Sequence, residues 1–303
     1  MSLDALGPAR ESLNERRRET VQALDLSGVD VVEDRIDSVQ VRIYRGARLA
    51  RATFEHGARL ARAAIEPGGP SPAVVYCHAG AFVLGNLDTD HRQCVEFARR
   101  AGCTVVSVSY RLAPENPYPA GLDDAMATLV WVATHADELD VDASRIAVAG
   151  SSAGAALAAG LAQRAAVGSA PPIAFQLLHQ PVLDDRPPRS KDEFLTTPGF
   201  DGPAVELMWR YYLAGCEGSA DTVPGRRREL AGVASAFISC SELDPLRDEA
   251  LDYALGLMAA GVATELHVFP GTCHGFDSLL PEWERSQQLF ELQGVALRRA
   301  FRG

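Results

Sequence analysis

The chain has 303 residues, 47% of them apolar and 23% charged, with 29 Lys and Arg set against 40 Asp and Glu for a net charge of −11. Such a composition is that of an ordinary globular protein and excludes collagen, coiled coil and chain-wide disorder. The acidic balance argues against unaided binding to nucleic acid or to an anionic membrane.

The first residues, Met1 to Leu6 and then Arg16-Arg17-Arg18, lack the apolar core of a secretory signal. The longest run of small apolar residues, Ala153 to Ala162, is far short of a membrane span. Cys77, Cys94, Cys103, Cys216, Cys240 and Cys273 form no C-x-x-C pair, so neither a zinc ribbon nor a thioredoxin-type motif is present. A soluble, cytoplasmic protein is expected.

Residues 1–29 are polar with a weak helical pattern. Gly46–Ala52 and Gly57–Ala63 both read Gly-Ala-Arg-Leu-Ala-Arg-Ala. This duplication is compatible with a hairpin turning at Glu55–Gly57 or with a broken arginine-rich helix, and is too short for a solenoid. Beyond it the chain alternates. Strands are predicted at Pro72–Cys77, Thr104–Ser109, Arg145–Ala149, Ile173–Leu178, Ala234–Cys240 and Thr264–Phe269. Helices are predicted at Thr89–Ala101, Gly121–His135, Ala153–Val167, Asp248–Ala260 and Glu282–Phe301. Several strands are continuous apolar runs, as strands covered on both faces are. The order predicts an α/β fold: a mostly parallel central sheet with helices on both faces. Residues 185–230, rich in Pro, Arg, Gly and Asp around the aromatic patch Met208–Leu213, interrupt this order and read as a cap over the sheet. The expected division is a sheet domain of residues 30–184 and 222–303, with residues 1–29 and 185–221 as a helical cap.

The sharpest chemical signal is Gly150-Ser151-Ser152-Ala153-Gly154, which follows an apolar strand and opens a helix. That is the strand–turn–helix setting of a G-x-S-x-G nucleophile elbow, whose sharp turn strains the serine and leaves no room for side chains at the glycines. Its hydroxyl is expected to be surface-exposed; an N-capping serine is the plainer alternative. Of seven histidines, His274 stands in a Gly- and Pro-punctuated loop after a strand, where catalytic groups sit on such sheets. His267 lies within a strand and His135 at a helix end. Asp244 follows the strand Ala234–Cys240, and the order Ser152…Asp244…His274 is that of α/β-hydrolases. Asp248 and Glu242 are the rival acids. His78-Ala79-Gly80-Ala81-Phe82, at the end of a strand, reads either as a tight turn or as an oxyanion loop whose backbone N–H groups, joined by that of Ala153, face a ligand.

Together with Tyr110-Arg-Leu-Ala-Pro-Glu115, Asp244-Pro-Leu-Arg-Asp-Glu249 and His274-Gly-Phe276, these segments resemble the hormone-sensitive-lipase-like (bacterial family IV) esterases of the α/β-hydrolase superfamily. The resemblance runs from residue 72 to the end. It implies a serine carboxylesterase with Ser152 as nucleophile, Asp244 as acid and His274 as base, and with Gly80, Ala81 and Ala153 as oxyanion donors. No metal or organic cofactor is implied, and a homodimer is compatible with it. The stretch Thr197-Pro-Gly199…Trp209…Tyr212-Leu213 resembles the family's acyl-pocket helix. Phe82, Trp209 and Phe276 are assigned to the substrate pocket, the last two as bulky groups reaching over the serine.

The sequence departs from the family pattern at Ala79 and Ala81, where glycine is usual, and at Ser151, where aspartate is usual. An oxyanion loop survives such alanines if φ stays negative, and their methyls would narrow the alcohol side of the pocket. An amidase or deacetylase would use the same residues. A non-catalytic receptor on this fold would be expected to have lost one of them.

Overall fold

The computed structural model describes residues 3–46, 69–186 and 188–302. All but the first residue of the duplicated 46–63 segment lies outside them. Chain order is α1 (Leu3–Gln22), β1 (Val29–Ile36), β2 (Val39–Gly46), β3 (Ser71–Cys77), α2 (His91–Ala101), β4 (Thr104–Ser109), α3 (Ala120–Thr134) and α4 (Ala136–Leu139). It continues through β5 (Val141–Ser151), α5 (Ala153–Ala166), β6 (Phe175–His179), α6 (Arg189–Glu193) and α7 (Gly202–Leu213). The last elements are β7 (Ser235–Leu243), α8 (Arg247–Ala259), β8 (Thr264–Cys273), α9 (Phe276–Leu279) and α10 (Glu284–Ala300). No helix among the described residues is long and apolar enough to cross a membrane.

The eight strands form one sheet in the order β1-β2-β4-β3-β5-β6-β7-β8. Pairing is parallel from β4 to β8 and antiparallel at β1–β2 and β2–β4. The continuous apolar runs are the interior strands, and their alternation divides the core in two. Val75, Cys77, Val106, Ile146 and Val148 face α3, α5 and α8. Val74, Tyr76, Val105, Ala147 and Leu177 face α2 and α10. Apolar side chains on both faces fit a parallel sheet covered by helices.

The β1–β2 hairpin was not among the predicted strands. Val39, Val41 and Ile43 alternate with Gln40 and Arg42, the pattern of a half-buried strand, while Asp37 takes the turn at φ 51°. β1 hides it because residues 33–35, Glu-Asp-Arg, are exposed; charges there protect the sheet edge from pairing with another chain.

Two helical regions lie at the carboxyl ends of the strands. Helix α1 is fixed by Arg10, whose guanidinium donates to the carbonyls of Val83 and Ala113 and to both carboxylate oxygens of Glu115, all at 2.7–2.8 Å. Helix α7 is started by Asp201, whose Oδ1 accepts the Ala204 N–H at 3.0 Å, with Pro203 in the first turn. Its Trp209 and Tyr212 pack on Phe82.

Leu161, fully buried in α5, tests the packing between this helix and the sheet. Leu161→Ala is expected to lower the unfolding free energy by about 2–5 kcal/mol, read from the denaturant midpoint. An unchanged midpoint would contradict the core described for α5.

Candidate active site

Ser152 sits between β5 and α5 at φ 54°, ψ −118°, a left-handed conformation that costs a side-chain-bearing residue about 1–3 kcal/mol. The surroundings enforce it. A Cβ at Gly150 would lie 2.4 Å from the Gly154 carbonyl, and one at Gly154 would lie 1.9 Å from the carbonyl oxygen of Cys77. Both glycines therefore exist to let β5 turn sharply into α5 against the end of β3. The Ser152 N–H donates to the His179 carbonyl at 2.8 Å, and its own carbonyl accepts the Val182 N–H at 3.1 Å. The serine is 2% exposed, which corrects the expectation of a surface hydroxyl. Phe200, in the segment before α7, lies with its ring centroid 4.9 Å from that of His274 and helps close the site.

β7 delivers Asp244 and β8 delivers His274, with β6 between β7 and the serine's strand. His274 Nδ1 donates to Asp244 Oδ2 at 2.8 Å, and the Ser152 hydroxyl donates to Nε2 at 3.0 Å. The carboxylate can only accept, so the proton belongs on Nδ1 and Nε2 is left free to accept. Asp244 is 0% exposed, and its other oxygen accepts the Leu246 N–H at 2.9 Å. The two rival acids are occupied elsewhere. Asp248, in the first turn of α8, accepts the Ser190 N–H at 2.8 Å and Arg247 Nε at 2.8 Å. Glu242 accepts the Gly271 N–H at 2.7 Å.

The segment after β3 folds tightly. The N–H groups of Val83 and Leu84 both donate to the Gly80 carbonyl, at 3.0 and 2.8 Å, so the turn's internal bonds do not draw on the amides of Gly80 and Ala81. A Cβ at Gly80 (φ 139°) would lie 2.0 Å from the Leu84 carbonyl oxygen. Ala81 and Phe82 stand at φ 53° and 59°. The expectation of a negative φ at Ala81 is therefore overturned: the turn needs left-handed residues, and Ala81 carries the strain that a glycine would avoid. Buried groups hold the segment from below. Asp90 Oδ2 accepts the Ala79 N–H at 2.8 Å and the Tyr76 hydroxyl at 3.0 Å, while burial pushes its carboxyl above the usual range. His78 stacks on Tyr110 at 4.2 Å and donates from Nδ1 to the Ala79 carbonyl; burial lowers its pKa to about 4, so it is neutral and structural.

The three residues assigned to the substrate pocket separate. Phe82 stacks on Tyr212 at 3.8 Å between centroids and lies 5.8 Å from Trp209, so those two join one aromatic cluster beside the Gly80–Ala81 turn. Phe276 does not join them. Gly275, at φ 71°, turns the chain into α9, and Phe276 packs with Phe269, Leu289 and the His179 ring instead. It is a buried anchor for the histidine loop. A cleft of about 390 Å³ between α1 and residues 88–93 is bordered by Arg17, Asp90 and Asp277 but not by Ser152 or His274. Among the described residues no group of three or more His, Cys, Asp or Glu side chains is placed to hold a metal ion.

Sequence reading passed over His179, Gln180 and Asp277. His179 Nε2 lies 3.1 Å from Asp277 Oδ1 and its Nδ1 2.8 Å from Ser239 Oγ. His179 and Gln180 stand at the carboxyl end of β6, next to the serine's own strand, and Asp277 stands in α9 just after the histidine loop; no motif in the sequence marks any of the three.

Comparison with known proteins gives the family. The family described as alpha/beta hydrolase fold matches residues 74–278. Esterase LipI of Mycobacterium tuberculosis is 43% identical over 210 residues, covering 68% of this chain and 66% of that protein, so the aligned part spans just under two thirds of that relative. The crystal structure of esterase LipW from Mycobacterium marinum superposes with a TM-score of 0.90 at 56% identity, covering 100% of this chain and 92% of that one. A bacterial heroin esterase follows at a TM-score of 0.87 and 36% identity, with 98% and 92% covered. The parallel sheet, the elbow after its fifth strand and the extent of these matches lead to one conclusion: the chain belongs to the α/β-hydrolase-fold family, in its hormone-sensitive-lipase-like branch.

Proposed function

We propose that this protein is a serine carboxylesterase that hydrolyses short- to medium-chain acyl esters through an acyl-enzyme. The observation that carries the reading is the single imidazole of His274, bonded to Ser152 Oγ at 3.0 Å on one side and to buried Asp244 at 2.8 Å on the other. The esterases named among its relatives support it.

In this reading Ser152 Oγ attacks the ester carbonyl while His274 Nε2 takes its proton. The imidazolium is stabilised by Asp244, which a buried and hydrogen-bonded carboxylate does without being protonated itself. The tetrahedral oxyanion is received by the N–H groups of Gly80, Ala81 and Ala153. The Ala153 amide lies at the start of α5, where the helix N-terminus favours negative charge. His274 then returns the proton to the leaving alcohol, and water activated by the same nitrogen releases the acid. The positive φ at Ala81 does not remove its N–H, and the turn's internal bonds do not draw on the Gly80 and Ala81 amides, so the role rests on these donors and not on the negative φ expected for the alanine. Residues 1–29 and 185–221 act as the cap over a catalytic domain of 30–184 and 222–303, and the Phe82–Trp209–Tyr212 cluster forms the end of the acyl pocket.

The triad assignment is tested by substitution. Ser152→Ala keeps the turn's Cβ and should lose on the order of 10⁴-fold or more of esterase turnover with the fold intact. Asp244→Asn should cost about 10⁴-fold in kcat by placing the imidazole proton on the wrong nitrogen. Asp248→Asn should cost at most about 1 kcal/mol of stability and leave kcat near wild type. An active Ser152→Ala, or an inactive Asp248→Asn beside an active Asp244→Asn, overturns the assignment.

The pocket is tested with p-nitrophenyl esters of increasing acyl length. Efficiency should rise and then fall within chains of about two to eight carbons, since each buried CH₂ gains about 0.8 kcal/mol only until the pocket ends. Trp209→Ala, measured in folded protein, should move the optimum to longer chains. An unchanged length profile with activity retained would place the acyl chain away from Trp209.

A further inference from the structure

The end of β6 bonds to Ser152 and to the residues on either side of His274. The His179 carbonyl accepts the Ser152 N–H, which leaves the next residue, Gln180, directly beside the loop that carries His274. Gln180 is 1% exposed and stands at φ 45°, a left-handed backbone that glutamine rarely adopts. Its N–H donates to the Ser239 carbonyl at 2.6 Å, pinning the turn to β7.

The side-chain amide makes three hydrogen bonds, using both its N–H donors and its carbonyl oxygen. Nε2 donates to Ser241 Oγ at 2.5 Å and to the Cys273 carbonyl at 3.2 Å, and Oε1 accepts the Gly275 N–H at 2.7 Å. The orientation of the amide follows from its partners, because a backbone N–H can only donate and a carbonyl can only accept. Cys273 and Gly275 flank His274, so one planar group grips the chain immediately before and after it. Ser241 lies in β7 just upstream of Asp244, and its own hydroxyl donates to the Cys273 carbonyl at 3.0 Å.

We propose that Gln180 is a positioning residue for the catalytic base: its amide fixes the backbone on both sides of His274 and ties it to the strand that presents Asp244, and so sets the reach of Nε2 to Ser152. The proposal rests on the reading of Ser152 and His274 as nucleophile and base. No other side chain bonded to this loop bridges the two flanking peptide groups among the described residues. A purely structural filler would occupy the same volume without needing a donor on one edge and an acceptor on the other.

The test compares wild type, Gln180→Met, Gln180→Glu and Ser152→Ala as purified full chains with p-nitrophenyl butyrate, recording kcat, KM and thermal unfolding. Methionine keeps the length and the Cβ, so it adds no backbone strain, but it forms none of the three bonds. It should lower kcat on the order of 10- to 100-fold, as slight misplacement of a reacting group does, with KM changed by less than about twofold. Gln180→Glu places a carboxylate against the Cys273 carbonyl, which disfavours the charged form. When protonated it regains one donor and keeps the acceptor for Gly275. Its activity relative to wild type at the same pH should therefore rise as the pH is lowered from about 8 to about 5.5. A wild-type kcat in folded Gln180→Met overturns the proposal. If that variant does not fold, the Gln180→Glu ratio decides: a rise supports positioning and a flat ratio overturns it. Activity retained in Ser152→Ala would refute the triad reading and the proposal with it, whereas an inactive Ser152→Ala beside a wild-type Gln180→Met refutes the proposal alone.

Discussion

Helix α5 begins so close to the end of β3 that a methyl group at Gly154 would sit 1.9 Å from the Cys77 carbonyl oxygen. That approach constrains everything above it. It leaves β5 no room for a gradual exit, so the chain reverses within Ser151 and Ser152, and Ser152 takes a positive φ with its side chain directed away from the helix it precedes. It also puts the Ala153 amide at the N-terminal end of a helix rich in alanine, the residue that favours helix most and permits the closest packing. The strain at residue 152 is held by burial around it: α5 is packed through Leu157 and Leu161 into the larger core, and the sheet below is covered on both faces.

With the elbow fixed, the sheet order sets the distances. β6 stands between β5 and β7, and β8 completes the edge, so loops after β5, β7 and β8 meet at one end. Asp244 and His274 are 30 residues apart and Ser152 is 122 residues from His274, yet each bond of the chain Ser152–His274–Asp244 is 3.0 Å or less. The strand between them is the shortest of the interior ones, Phe175–His179, and its end carries two polar residues rather than a featureless turn. His179 faces Asp277 and Ser239, and Gln180 faces the two peptide groups around His274. His274 is thus bonded through Nδ1 to Asp244, and the peptide groups on either side of it are bonded to the end of β6.

Much of this could be read from the sequence because it is local or ordered. The apolar runs at 73–77 and 146–149 lie in β3 and β5, and the glycines at 150 and 154 announce a turn that only glycine permits. Ser152, Asp244 and His274 follow one another in chain order at the ends of β5, β7 and β8. What escaped the reading depends on partners far away in the chain. Phe276 was assigned to the pocket because it is bulky and follows the histidine, but Gly275 directs it to Phe269 and Leu289. The negative φ expected at Ala81 failed because the turn geometry is set by Leu84 and Gly80, not by the alanine's own preference. Gln180 carried no motif, since its side-chain partners are 61 to 95 residues away.

The central claim is that Ser152, and no other side chain, is the group acylated in turnover. It is tested most directly by treating the protein with diethyl p-nitrophenyl phosphate, whose adduct on an activated serine is too slow to hydrolyse to be lost on digestion. The account predicts that activity falls in proportion to p-nitrophenol released, at one equivalent per chain, and that mass mapping places the phosphoryl group on Ser152. An adduct on Ser151 or on any other residue, or full esterase activity in protein labelled to completion, would contradict it.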